Sequence, residues 1–388
     1  MSTARLTRSL FFASLLLAGA ARSALAAEPL QRIAPALQPF VETRVLAGAV
    51  TLVATKDRIL DVSTVGAADI AAKRAMTADS VFWIASTSKP ITAAALMILV
   101  DEGKVKVDDP VEKYLPEFKG QMYIAQKSDE QMLLKKPARP IRIRDILSHT
   151  SGLAFRSAIE FGPLDLFPLA TRVRSYAAQP LLHAPESQYL YSNAGINVAA
   201  RIIEVVSHKP FDKFLDERLL RPLGMKDTTF WPNSGQLARL AKSYKGNKDR
   251  SDLEETPIAQ LTYPLDDRRT RQPMPGGGLF STASDMARFG QMLLRGGEFG
   301  GQRILTEAAV KTMTSRQTPE KIKQSYGFGF AVNGPTFGHG GAYSTNFSVD
   351  SQFGLVLVFM VQNAGWRNDD GRKILPAFTK AAVEAFGH

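Results

Sequence analysis

The stretch from Trp83 to Lys104, WIASTSKPITAAALMILVDEGK, decides how the rest of the chain is read. A long apolar run with helical spacing starts almost directly after a proline, and two serines, a threonine and a lysine precede that proline. Proline has no N–H and clashes with the carbonyl four residues back, so it is tolerated only in a first turn, where N–H groups lack intrahelical partners anyway. Pro90 therefore predicts a helix starting at about Ser86 to Thr87, with Ser86 at an edge whose free N–H groups attract negative charge. Lys89 follows three residues later on the same face, within reach of the Ser86 hydroxyl. A serine hydroxyl is a weak nucleophile until a base takes its proton, and a lysine amine does so when burial or a positive neighbour keeps it neutral. Ser-x-x-Lys arises by chance about once in a chain of this length. Alone it reads more readily as a capping serine beside a solvated lysine, and Ser88 is an equal candidate for the cap.

The 388 residues are enough for one large domain or two interlocked ones, and the apolar and charged shares, 45% and 22%, are those of an ordinary globular protein. With no cysteine, disulfides, thiol nucleophiles and cysteine metal sites are excluded. The N-terminus has the pattern of a secretory signal: Arg5 and Arg8 without acids, the apolar stretch SLFFASLLLAGAA, then small residues for cleavage near Ala26 or Ala27. The mature chain is thus expected to be secreted or periplasmic, with no stable membrane anchor. Losing residues 1–26 takes the formal charge from +11 to +8. Because the bases are dispersed and the chain is read as exported, the excess is a solvated basic surface suited to anionic envelope polymers, and no nucleic-acid partner is expected.

Strand signals lie at both ends of the chain. GAVTLVATKDRILDVSTVG reads as two strands around a turn, and SYGFGFAV, STNFSVDS and GLVLVFMVQ as three more. Helical signals dominate the middle, in RDILSHTSGL (ended by Gly152), NAGINVAARIIEVVSH and DKFLDERLLRPLGM, and TASDMARFGQMLLRGG is a further helix capped by Thr282 or Ser284. The expected fold is α/β of the α+β type: an antiparallel sheet built from both chain ends, flanked by helices, with a large, mainly helical insertion. The boundaries are 1–26 for the leader, 27–85 plus 276–388 for the sheet unit, and 86–275 for the helical unit, with the active site between the last two. Residues 119–140 read as a loop excursion.

Two further motifs accompany Ser-x-x-Lys. YLYSNAGIN places Tyr191 and Asn193 just before a helix, and FGHGGAYST places His339, Gly340 and Gly341 before an apparent strand. His149 in SHTSG suggests a pairing with Ser151, but Gly152 marks a turn there; there is no His-Glu-x-x-His or other metal spacing. With these motifs in this order, the sequence resembles the serine β-lactamase and penicillin-binding-protein superfamily, in the branch of class C β-lactamases, D-Ala-D-Ala carboxypeptidases and β-lactamase-like esterases. The resemblance extends over about residues 35 to 385, including GAVTLVA, IRDILSHTSGL and PGGGLFSTASDMARFGQMLL. It implies that Ser86 is acylated, that Lys89 shares proton transfer with Tyr191 as a phenolate stabilised by nearby cations, and that Asn193 orients Lys89 and binds the substrate amide. It also implies that His339 stands where many relatives carry the lysine of Lys-Thr-Gly, that Gly340 and Gly341 line the substrate backbone, and that the Ser86 and Ala342 N–H groups form an oxyanion hole. No cofactor is implied. The partner is a small ester, peptide or β-lactam; the departure at His339 favours esterase or D-amino-acid peptidase over true β-lactamase, with a non-turnover penicillin-binding sensor as a further alternative.

Overall fold

The computed structural model describes residues 32–387, so the expected leader lies outside the described residues. Toward the N-terminus lie helix α1 (Ala34–Glu42) and strands β1 (Gly48–Ala54), β2 (Ile59–Asp69) and β3 (Arg74–Ala75). The middle includes α2 (Ser88–Asp101), strands β4 (Tyr123–Lys127) and β5 (Met132–Lys135), α3 (Ile143–Leu147) and α4 (Asn193–Ser207). Then come α5 (Ala283–Leu294), β6 (Ala331–Asn333), β7 (Thr336–Gly340), β8 (Asn346–Asp350), β9 (Leu355–Met360) and α6 (Gly371–Phe386). One antiparallel sheet runs β6-β7-β8-β9-β1-β2-β3, so the two chain ends meet at its centre, where Val50 faces Met360 and Leu52 faces Val358.

The period-two pattern of the central strands explains both faces. Ala49 and Val53 of β1, with Leu355, Leu357 and Phe359 of β9, pack with Leu37 of α1 and Ile374 and Phe378 of α6. The alternate residues, Val50, Leu52, Val356 and Val358, join the main core with Met286 and Phe289 of α5. Strands buried on both faces lose the polar alternation of a half-exposed sheet and read as continuous apolar runs. Helix α2 is buried from Ser88 to Leu99, which is why its sequence is apolar all round.

The structure corrects several local expectations. Residues 119–140 are not a structureless loop: β4 and β5 form an antiparallel hairpin closed by the Ser128 N–H on the Gln131 carbonyl. Helix α3 stops at Leu147, and His149, at φ 59°, turns the chain before Gly152 does. DKFLDERLLRPLGM is helical, but Asp216–Leu220 is a wider π turn before Pro222, which has no N–H for the regular ladder. In SYGFGFAV only Ala331 and Val332 are strand, the start of β6, because Gly329 at φ 79° bends the chain just before it. His339 precedes strand β8, as expected, and itself lies within a strand, β7, that the sequence did not signal.

Candidate active site

Ser86 sits in a single 3-10 turn, Ala85–Thr87, that feeds α2; the α-helix itself starts at Ser88, later than expected, with Pro90 third and still in the first turn. Ser88 is not a cap. Its buried hydroxyl donates to the Ala85 carbonyl at 2.7 Å and accepts the Leu279 N–H at 3.2 Å. Ala85 has φ 45°, a left-handed conformation that costs a non-glycine residue about 1–2 kcal/mol. The turn is held from both sides. Trp83 Nε1 donates to the Gly277 carbonyl at 2.8 Å and Ile84 N–H to the Leu279 carbonyl at 3.0 Å. The result lifts the Ser86 side chain, half-buried, out of an otherwise buried run.

Lys89 is fully buried and its amine meets three oxygens: Ser86 Oγ at 3.0 Å, Asn193 Oδ1 at 2.7 Å and the Gly276 carbonyl at 2.6 Å. Burial holds its pKa well below the usual lysine range. In the neutral amine two N–H groups satisfy the two carbonyl-type oxygens, which only accept. The lone pair then falls on the third direction, toward the Ser86 hydroxyl. The Tyr191 ring lies 4.7 Å from the amine, measured to its centroid. Burial pushes its phenol up, while pairing with the Ser86 hydroxyl pulls the other way. Burial thus favours the phenol over the phenolate that the resemblance implies.

The end of β7 closes the other side. Thr87 Oγ1 donates to the His339 carbonyl at 3.4 Å, and Thr345 Oγ1 to the Ile84 carbonyl at 3.3 Å, which joins β7 and its following turn to the Ser86 turn. At Gly341 a Cβ would come within 2.7 Å of the Ile84 carbonyl oxygen, so only glycine fits. Gly340 has room for a side chain and is exposed, as is Ala342. β6 pairs with β7 only as far as Gly338, leaving the edge open at His339 and Gly340. Neither the Ser86 nor the Ala342 N–H is taken by a protein acceptor among the described residues.

His339 is buried, and its Nδ1 lies 2.7 Å from the Gly340 carbonyl. A carbonyl only accepts, so Nδ1 carries the proton and Nε2 a lone pair. Burial first, then the Lys89 charge, lowers its pKa to about 3. His339 therefore stays neutral throughout the physiological range, unlike a lysine in that place.

Three contributors had no clear sequence signal. Asn197, one turn after Asn193 on α4, accepts the Gly276 N–H at 3.1 Å and donates to Tyr176 Oη at 2.9 Å. It thus fixes the peptide whose carbonyl holds Lys89; two buried asparagines at i, i+4 in an apolar helix were the available hint. The second is the Gly276 carbonyl itself. The third is His149. It makes no pair with Ser151, whose hydroxyl accepts the Leu153 N–H. Its ring instead lies 4.7 Å from that of Tyr191; Nδ1 accepts the Ser192 N–H, and Nε2 donates to Tyr326 Oη, each at 3.2 Å. Burial, then the Lys89 charge, holds it well below the usual histidine range.

A family model described as Beta-lactamase matches residues 33–378. The chain belongs to the β-lactamase family, and its mixed antiparallel fold is that of its structural neighbours. An uncharacterized protein of Mycobacterium tuberculosis is 33% identical over 365 residues, covering 84% of this chain and 88% of that protein. A putative D-alanyl-D-alanine carboxypeptidase of Salmonella gallinarum is 30% identical over 283 residues, 68% of this chain and 62% of that one. Among solved structures, EstCE1, a hydrolase with promiscuous acyltransferase activity, superposes with a TM-score of 0.74 at 23% identity, covering 90% of this chain and 97% of that one; at this identity the likeness concerns fold.

Two predictions follow from the packing. Asn197→Leu leaves the buried Gly276 N–H without an acceptor, so stability should fall by about 1–3 kcal/mol in denaturant titration. Turnover should fall with it, and the acidic limb of the pH–rate profile, which reports the base, should shift as Lys89 loses a fixed partner. An unchanged profile would show that the Gly276 peptide does not need Asn197. The second concerns acid. The folded pKa values of His149 and His339 lie below the unfolded 6.5, so the unfolded chain takes up protons first. Their stabilisation is complete above about pH 6.5 and is lost as pH falls toward 3. Melting temperature should drop across that window, and His149→Phe should drop less steeply than the parent.

Proposed function

We propose that the chain is an exported serine hydrolase that forms an acyl-enzyme on Ser86 and cleaves neutral esters or D-amino-acid amides in preference to β-lactams. The supporting observation is the buried Lys89 amine, whose two carbonyl-type partners leave its lone pair for Ser86. In this mechanism Ser86 Oγ attacks the substrate carbonyl carbon while its proton passes to Lys89. The oxyanion is met by the Ser86 and Ala342 N–H groups, each such donor contributing typically about 2.7–4 kcal/mol. Tyr191, as a phenol, relays a proton to the leaving oxygen or nitrogen, and water then releases the acid and restores Ser86. Asn193 orients Lys89, and His339, Gly340 and Gly341 flank the substrate.

The preference for neutral substrates rests on His339. β-Lactams and D-Ala-D-Ala peptides carry a carboxylate, and a neutral imidazole with an acceptor nitrogen does not offer it a cation. The carboxylate-using alternative draws support from the putative carboxypeptidase among the relatives, the esterase reading from the structural likeness to a hydrolase with acyltransferase activity. The test is one preparation assayed with p-nitrophenyl esters, a cephalosporin and a D-Ala-D-Ala peptide at pH 6–8.5, with fluorophosphonate labelling alongside. A single label lost in Ser86→Ala, together with ester turnover exceeding cephalosporin turnover, is expected. Full activity in Ser86→Ala, or efficient cephalosporin hydrolysis at pH 8, contradicts the proposal. Export is tested separately. Intact mass of protein from its native compartment should place the N-terminus near Ala27 or Glu28, and a retained Met1 would count against it.

A further inference from the structure

Hairpin β4–β5 is a segment that the fold leaves uncovered. Every residue from Gln126 to Lys136 is exposed, and Met132, Leu133 and Leu134 retain 45%, 47% and 39% of their accessible surface. Side chains alternate across a strand, so these three put apolar surface on both faces. A lone hairpin in water is marginal by itself. The outer edge of β4 is met by Leu181, whose carbonyl accepts the Ile124 N–H at 2.8 Å. No strand covers the outer edge of β5 among the described residues. Such an edge, with unpaired backbone groups and apolar side chains, is a template for another strand.

The charges indicate which strand fits. Residues 129–136 read DEQMLLKK: acids at one end, bases at the other, apolar between. None of these charges enters an ion pair within the described chain. The pattern is complementary to itself in antiparallel pairing. With Leu133 opposite Leu133 of a second copy, Met132 faces Leu134, and just beyond the strand ends the acidic turn at Asp129 and Glu130 lies toward the partner's basic end, twice by symmetry. Parallel pairing would instead set acid beside acid. We propose that β5 is a self-association edge through which two copies of this chain join their hairpins into one continuous sheet. An anionic lipid surface fits less well, because Asp129 and Glu130 occupy the hairpin turn that would meet it first.

The test is sedimentation velocity on the whole chain from about 1 to 100 μM, a range that spans weak association. A concentration-dependent dimer is expected. Asp129→Lys with Glu130→Lys makes one variant, Lys135→Glu with Lys136→Glu another; each alone sets like charges opposite, and its dissociation constant should rise about tenfold or more. Mixing the two should restore the dimer, since every basic end then meets an acidic one. Circular dichroism shows that each variant is folded. A chain monomeric at the highest concentration, variants that dimerise like the parent, or a mixture that stays monomeric overturns the proposal. So does binding to phosphatidylglycerol vesicles by a chain that remains monomeric in solution, which assigns the hairpin to a lipid surface.

Discussion

The site depends on the burial of one amine without a carboxylate beside it. Lys89 is surrounded by Ser86 Oγ, an amide oxygen and a peptide carbonyl, and burial alone lowers its pKa. A nearby Asp or Glu would have restored the ammonium and consumed the lone pair the proposed mechanism needs. The neighbours obey the same constraint. His149 and His339 are both buried, both hydrogen-bonded in a way that fixes one neutral tautomer, and both further discouraged from protonation by Lys89. Tyr191, between them, is favoured as a phenol. Burial thus works against charge on each of these titratable side chains.

Keeping that arrangement rigid falls to irregular segments, whose backbone groups have no ladder to satisfy them. Gly276 is held through Asn197, which binds Tyr176, which donates to Glu160 Oε1 at 2.8 Å. Buried Arg172 donates to the Leu164 carbonyl at 3.2 Å and also to that of Pro273. Arg271 pairs with Asp165 at 2.7 Å, both essentially inaccessible, and Asp165 also accepts the Thr262 N–H and hydroxyl. Such a pair adds little net stability over apolar packing but punishes loss of either partner, so it specifies a loop conformation more than it stabilises the chain. These contacts join the segments around 157–165 and 257–276 to the carbonyl that holds Lys89.

The sheet and the first turn of α2 were legible because each rests on local pattern. β1 and β9 are buried at every position, apolar but for Thr51, and separated by almost the whole chain, as central strands formed from both ends must be. Pro90 limited the helix start to within about a turn, and Ser-x-x-Lys spacing placed the hydroxyl and amine together. The rest depended on long-range closure. A peptide carbonyl such as that of Gly276 has no side-chain signature, and the value of Asn197 appears only when α4 packs beside that peptide. His149 looked like turn punctuation because its real neighbours, Tyr191 and Tyr326, come from distant segments. The β4–β5 hairpin escaped detection because it buries neither face, and so shows no polar–apolar alternation.

The penalty on buried charge also bears on why histidine suits the position where the resemblance leads one to expect lysine. A second amine beside Lys89 would raise the like-charge penalty in a buried pocket and would need a substrate carboxylate to offset it. His339 avoids both conditions: its ring packs against Tyr191 and Tyr326 and its one proton is committed to Gly340. In the proposed reaction, charge then arises only in the transition state. An oxyanion forms at the Ser86 and Ala342 N–H groups as a proton reaches Lys89, so the two opposite charges appear together and the pocket stays neutral overall. Fixed dipoles stabilise that separation without rearranging, and do so more strongly where water is excluded. A substrate that arrives with its own carboxylate gains nothing from such a pocket and gives up its hydration to enter it, whereas a neutral acyl group gives up little.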